Sequence, residues 1–292
     1  MTEVPGASGH VNSRDVYLDG LFGLGGRVAL VTGASGSIGD ALARGLAASG
    51  ARVALVARRA QPLEELANSI QSDGGTAVAF PADVLDRAAL ETVRRDVSEQ
   101  LGRLDILVNA AGGNVAEATV PESGSFFELS DAAFERVVDL NLMGTVMPTQ
   151  VFGAAMAARE PEECSGSIVN ISSMAAKRAV TRVAGYSAAK AAVEGFTRWL
   201  AVAAARAYGD RLRVNAIAPG FFLSEQNRSL LLTPQGEPTA RARAVIEHTP
   251  AGRLGDPAEL VSTVIWLCGP GARFVTGAVV PVDGGFGAFS GV

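Results

Sequence analysis

Lysine is nearly missing from this sequence. Only Lys177 and Lys190 stand among 25 basic residues, so a site that keeps lysine asks for a compact ammonium where arginine would present a wide fork. Cysteine is equally scarce. Cys164 and Cys268 are too few and too far apart for a disulfide framework or a thiolate metal site, and they predict two free thiols in a reducing compartment. There is no surplus of positive charge either: the formal net charge is −5 and the pI about 5.2, which argues against nucleic acid or an anionic membrane as partner. No charged segment followed by an apolar core opens the chain, and no apolar run approaches the roughly 18 residues that span a bilayer. The Ala-rich stretch near 200 is interrupted by Arg198 and Arg206. A soluble, cytoplasmic protein acting on a small molecule is expected.

What is present is a large, regular core. The 292 residues are 48% hydrophobic with 34 glycines, enough for one sizeable α/β domain. From Arg27 onward short apolar runs alternate with amphipathic stretches: RVALVT then IGDALARGLAASG, RVALVA then PLEELANSIQSDG, LDILVN and SIVNIS each before further helical segments. The runs are continuous, without the polar alternation of a half-exposed strand. That pattern predicts a doubly wound parallel sheet covered on both faces, with about seven strands, the last two at LRVNAIA and AVVPVD. Residues 1–22 read as a mobile extension and 23–292 as one domain. Residues 221–252 are too long for a simple connection and too polar for core. Either they are a surface insertion or, lying beyond the carboxyl end of the sixth strand, a substrate lid.

The two scarcest useful residues occur together. Tyr186, one of three tyrosines, precedes Lys190 by four residues, a coincidence expected by chance only about 0.02 times. Four residues is one helical turn, so both side chains share a face. A neighbouring ammonium would draw a phenol down from its usual pKa of about 10 toward neutrality, as proton exchange with a carbonyl/alcohol pair requires, and it could also hold two ribose hydroxyls. The alternative is a solvent-facing pair on a surface helix. A second motif, TGASGSIG, lies between the first strand and first helix. Its Gly33, Gly36 and Gly39 allow a tight turn and close approach of pyrophosphate to a helix N-terminus. Beyond the second strand, Ala57 stands where an acid would bind adenosine ribose, and Arg58 and Arg59 follow. A guanidinium there suits a 2′-phosphate, favouring NADP(H), while two solvated arginines would leave NAD(H) open.

Over residues 20–292 these motifs resemble the short-chain dehydrogenase/reductase family, which implies a Rossmann-type fold. The resemblance implies a cofactor set of Gly33, Ser35, Gly36, Ser37, Ile38 and Gly39, with Ser37 standing where the family usually has glycine. Arg58, Asp83 and Val84 follow on the adenosine side, then Asn109, Ala110, Ala111 and Gly112 of NAAGG. Pro219, Gly220, Phe222 and Ser224 are implied around the nicotinamide. Tyr186 is implied as proton donor and acceptor, Lys190 as the group that lowers its pKa and grips ribose, and Ser173, thirteen residues before Tyr186, as the hydroxyl that orients substrate oxygen. Asn141 is implied to hold a relay water through its backbone and side chain. The family likeness also implies a homotetramer.

The 221–252 segment carries Gln226, Asn227, Arg228, Arg241, Arg243 and His248, more polar groups than a steroid or acyl slot wants and suited to a hydroxylated acid. Asn114, Asn227 and above all Arg228 are the expected substrate contacts. NAAGGN, DLNLMGTVMPTQVF, APGFFLSEQNRSLL, PTARARAVIEHTP and PVDGGFGAFSGV together resemble the D-mannonate oxidoreductase (fructuronate reductase) branch, which implies a keto sugar acid as substrate. Members of that branch commonly carry an acid after the second strand, where this chain has Ala57 and Arg58. A 3-oxoacyl-[acyl-carrier-protein] reductase is the nearest rival reading. A non-catalytic NADP sensor is the remote one, disfavoured because Ser, Tyr and Lys are all retained.

Overall fold

The computed structural model describes residues 13–158 and 166–291; Cys164, residues 1–12 and the side chain of Gln226 lie outside the described residues. The strands are β1 (Val28–Thr32), β2 (Arg52–Ala57), β3 (Thr76–Pro81), β4 (Ile106–Asn109), β5 (Gly166–Ile171), β6 (Leu212–Pro219) and β7 (Val279–Val282). The helices are α1 (Ser13–Phe22), α2 (Ser37–Ala48), α3 (Ala60–Ser72), α4 (Arg87–Gln100), α5 (Asp131–Val138), α6 (Gly144–Ala157), α7 (Ala184–Tyr208), α8 (Glu225–Leu231), α9 (Ala240–Glu247) and α10 (Val261–Cys268). The seven strands form one sheet in the order β3-β2-β1-β4-β5-β6-β7, every pair parallel. This is the expected Rossmann-type doubly wound sheet.

Alternate residues of each strand feed two separate cores, which explains the continuous apolar runs. Ala29, Val31, Val53, Leu55, Ile106 and Val108 pack with Leu42 and Leu46 of α2, Leu63 and Leu66 of α3, and Val264 and Leu267 of α10. Val28, Leu30, Ala54, Val56 and Leu107 face the other way, onto Leu90 of α4, Phe152 and Met156 of α6, and Ala201 of α7. Burial of each large side chain contributes about 1.5–3 kcal/mol, so both sheet faces are strongly held. Chain direction across the sheet reverses between β1 and β4, and the crevice beyond their carboxyl ends is where such folds place ligands.

Two expected irregular regions contain helices. Within the expected mobile extension, Ser13–Phe22 forms α1. Its end lies on the turn after α10, so closely that a Cβ at Gly269 would come within 2.7 Å of the Leu21 carbonyl oxygen. Residues 221–252 hold α8 and α9, joined by Thr239 N donating to Leu231 O at 2.9 Å and by an antiparallel bridge between Leu232 and Pro238. A third departure is a π turn, Asp139–Met143, between α5 and α6. Among the described residues no helix is long and apolar enough to cross a membrane.

Candidate active site

The floor of the crevice is built by backbone. Thr32, at the end of β1, accepts hydrogen bonds at Oγ1 from the amides of Ala110 and Ala111, each at 3.1 Å, pinning the exits of β1 and β4 together. Gly33 sits at φ 66, and a Cβ there would come within 2.7 Å of Ala110 O. A Cβ at Gly39 would reach 2.2 Å from Gly33 O. Both positions therefore need glycine. Gly36 differs: its φ is −95, and its nearest neighbour would be 3.4 Å away. It precedes Ser37, the first residue of α2, and offers no side-chain cap. A helix N-terminus so exposed is a seat for a diphosphate, and in this respect the residues fit a dinucleotide. Ile38, in the first turn of α2, lines the crevice beside Ala110 and Gly112.

Around the adenosine end, Asp83 Oδ1 accepts from Leu85 N at 2.9 Å, fixing the turn after β3. Val84 is buried against Gly144. Arg58 and Arg59 are exposed directly after β2. Asn109 is buried at the end of β4. Its side chain turns away from the crevice into a buried chain of hydrogen bonds, with Nδ2 donating to Thr149 Oγ1 and Asn170 Oδ1, each at 2.9 Å. Asn170 Nδ2 then donates to Thr197 Oγ1 at 2.9 Å. Burial demands such partners; Nδ2 has two, whereas Asn109 Oδ1 has none among the described residues. At the nicotinamide end, Pro219, Gly220, Phe222 and Ser224 all line the crevice. Gly220 lies where a Cβ would come within 2.7 Å of the Asp283 Cα.

Tyr186, Ser173 and Lys190 converge on the same crevice. Tyr186 hydrogen-bonds the Ser173 side chain, yet burial outweighs that bond and pushes the phenol above its usual value. Lys190 is buried; its Nζ donates to Ile171 O at 2.8 Å and lies 5.6 Å from the centre of the Tyr186 ring. Burial lowers its pKa to about 8. The expected depression of Tyr186 by Lys190 is therefore absent from this arrangement. Desolvation penalises phenolate and ammonium alike, and the ammonium is already committed to a carbonyl. Tyr186 is held as a protonated donor.

Asn141 lies in the π turn and is fully buried. Its Nδ2 donates to Gly113 O at 2.7 Å and Val137 O at 2.8 Å, while Oδ1 accepts from Gly113 N at 3.0 Å. The side chain thus fastens the backbone leaving β4, with both Nδ2 hydrogens committed there. The Asn141 carbonyl accepts from Thr145 Oγ1 at 2.9 Å. Glu194 escaped sequence reasoning. It is buried one turn beyond Lys190, accepts from Ser172 Oγ at 3.3 Å and pairs with Arg198 at 2.7 Å. Its spacing of four from Lys190 was the available signal.

The crevice encloses about 760 Å³. Asn114 lines it, its Nδ2 donating to Thr119 Oγ1 at 2.6 Å. The other two expected substrate contacts differ in their placement. Arg228 is exposed and absent from the lining; Arg182 and Arg241 line it instead. Asn227 borders the crevice, but both ends of its amide serve α8: Oδ1 accepts from Ser224 N at 2.8 Å and Nδ2 donates to Phe222 O at 2.7 Å. Ser224 Oγ accepts from Asn227 N at 3.3 Å, closing a capping box.

Comparison with known proteins agrees with this geometry. The family profile described as enoyl-(acyl carrier protein) reductase matches residues 33–287. An uncharacterized oxidoreductase of Bacillus subtilis, UxuB, is 44% identical over 278 residues, covering 92% of this chain and 98% of its own. The NAD-bound structure of a provisionally named D-mannonate oxidoreductase from Haemophilus influenza superimposes with a TM-score of 0.86 at 38% identity, over 94% of this chain and 100% of that one. A gluconate 5-dehydrogenase from Burkholderia cenocepacia, in complex with NADP and tartrate, gives a TM-score of 0.81 at 31% identity over 92% and 98% of the two chains. On the strength of the profile match and these relatives, two of them with a bound nicotinamide dinucleotide, the chain belongs to the short-chain dehydrogenase/reductase family as an NAD(P)-dependent oxidoreductase of alcohol and keto groups.

Proposed function

We propose that the enzyme interconverts a keto sugar acid and its hydroxy acid, of the D-fructuronate/D-mannonate kind. The observation that carries this reading is the sign of the crevice: Lys190, Arg182 and Arg241 line it, and among the described residues no acid does. A carboxylate-bearing substrate is stabilised there, whereas a neutral polyol gains nothing from the charge. The bound dinucleotide supplies or accepts a hydride at nicotinamide C4. In the reducing direction Tyr186 Oη would give its proton to the substrate oxygen as the carbonyl carbon received the dinucleotide's hydride, and solvent would reprotonate the phenolate. Ser173, already bonded to Tyr186, orients that oxygen. Lys190 would hold the ribose, and Asn141 holds the Gly113 backbone on the crevice wall.

The α8–α9 unit acts as the substrate lid. NADP(H) is the preferred cofactor on this reading, supported by the exposed Arg58 and Arg59 after β2 and by Ala57 in place of an acid. The enzyme works in the cytoplasm as a homotetramer, a reading supported by the family resemblance and by the exposed apolar Trp199, Val202 and Phe274; light scattering tests the assembly. Substrate choice is tested by following reduced-nicotinamide absorbance, with NADPH and NADH in turn, against keto sugar acids, matching neutral ketoses, oxoacyl thioesters and quinones. Turnover confined to thioesters or quinones would sink the sugar-acid assignment.

A further inference from the structure

The cations around the crevice differ in how far they are already committed. Lys190 is tied to the Ile171 carbonyl at 2.8 Å. Arg182 donates from Nε to Val120 O at 2.7 Å, has Glu122 3.7 Å from Nη1, and stands at φ 75, the one described non-glycine residue in that region; its work is to fasten the Val120 loop. On the lid, Arg228 and His248 are exposed, and Arg243, also exposed, caps the Pro238 carbonyl at 2.8 Å. Arg241 is different. It is half-buried, lines the crevice that holds Tyr186 and Ser173, and has neither a hydrogen bond nor an ion pair among the described residues.

A guanidinium withdrawn from water without a counter-charge is costly unless a ligand supplies one. Its mount is firm. Arg241 is the second residue of α9, whose start is capped by Thr239 Oγ1 accepting from Ala242 N at 3.2 Å. Thr239 Oγ1 also donates to Leu230 O at 2.7 Å, and Ala242 and Val245, the latter one turn beyond Arg241 on the same face, sink that side of the helix into the protein. The planar fork is thus carried by an anchored helix on the crevice that Tyr186 also lines, where it can take a carboxylate through two parallel hydrogen bonds.

We propose that Arg241 is the specificity-determining residue of this enzyme, binding the carboxylate of the substrate and so distinguishing a keto acid from the corresponding neutral ketose. This rests on the sugar-acid reading above. The test compares the purified full-length enzyme with Arg241→Leu and Arg241→Lys, measuring kcat/KM for a hexuronate such as D-fructuronate and for the matching ketose, D-fructose, together with dinucleotide affinity as a check on folding. The expected result is that R241L lowers the acid-over-ketose ratio about 10- to 100-fold, chiefly through KM for the acid, because a hydrogen-bonded charge is worth roughly one to two decades. R241K should recover part of the ratio, having the charge without the fork; should R241L fail to fold, R241K with a lowered ratio and intact dinucleotide affinity carries the same conclusion. A parental ratio in R241L, or a loss of dinucleotide affinity in place of acid affinity, overturns the assignment while leaving the substrate reading intact. A parent enzyme that does not prefer the acid at all overturns both.

Discussion

The two walls of the crevice are made differently. One wall, the dinucleotide wall on our proposal, runs from Thr32 to Gly39 and along Ala110 to Gly112 and is shaped largely by main chain: amides held by the Thr32 hydroxyl, and the close approaches at Gly33 and Gly39 where no Cβ fits. The other, the substrate wall on the same proposal, is α8 and α9, shaped by side chains projecting from two short helices. A backbone wall is specified by which residues are absent at fixed offsets. A side-chain wall is specified by helix phase, and a one-residue error there turns a pocket residue into a solvent-facing one.

The largest effect that separates chemistry from either wall is loss of the Tyr186 hydroxyl. Tyr186→Phe should lower kcat by about 10²–10⁴, the range for a positioned general acid, and leave dinucleotide binding measurable, since the ring and Lys190 remain. Stopped-flow turnover beside a fluorescence titration checks both. Retained turnover would remove the proposed donor.

Next in size, Gly39→Ala attacks the backbone wall. The new Cβ would lie 2.2 Å from the Gly33 carbonyl oxygen, with no flexible side chain to give way, so a loss of about 3 kcal/mol or more is expected by overpacking, with dinucleotide affinity falling alongside. Thermal melting and titration read the two.

The comparison explains what was legible before the coordinates. The sheet was, because runs such as VALVT and ILVN supply both cores at once and leave no polar alternation to confuse them. Tyr186, Lys190, Ser173 and the glycine turn were, because turn geometry and one-turn spacing survive as fixed offsets. Arg241 was passed over for Arg228 because nothing in the spacing says where α8 ends and α9 begins. Asn227 looked like a substrate amide, yet it fits equally the third residue of a capping box. The pKa order failed for another reason: neighbouring charge is visible in sequence, whereas the depth that desolvates Tyr186 and Lys190 is a property of the packed crevice.

That depth gives a pH prediction. Lys190 in the folded enzyme titrates at about 8 against a usual 10.5, so the native state binds fewer protons than the unfolded chain between these values. Its penalty is fully present below about 8 and fades as pH rises toward 10.5. Tyr186 works oppositely above about 10, where its raised pKa costs stability as the unfolded phenol ionises first. In function, dinucleotide affinity should fall as pH passes about 8 and the ammonium is lost, and Lys190→Met should abolish that limb. A titration series across pH with both proteins measures it.

A smaller effect belongs to the substrate wall. Asn227→Ala removes the bonds to Ser224 N and Phe222 O that start α8, a cap worth about 1 kcal/mol. The melting temperature should drop modestly and KM for the acid should rise, with dinucleotide affinity changing less. Equal damage to both ligands would mean that α8 is a common support for the two walls.

The smallest stability change is expected at Gly36, and it sharpens the comparison most. Its φ of −95 is open to any residue and the nearest atom to an added Cβ is 3.4 Å away. For Gly36→Ala the entropy gained by stiffening the unfolded chain offsets the weaker helix start, so the net change should stay within about 0.5 kcal/mol. Dinucleotide affinity should nonetheless fall several-fold, because an exposed glycine at a helix N-terminus is otherwise free to lie against a diphosphate. Paired melting and titration curves separate the outcomes. A lowered melting temperature would place Gly36 with Gly33 and Gly39 as a residue the turn itself requires, whereas a changed affinity at constant stability marks it as glycine kept for the ligand.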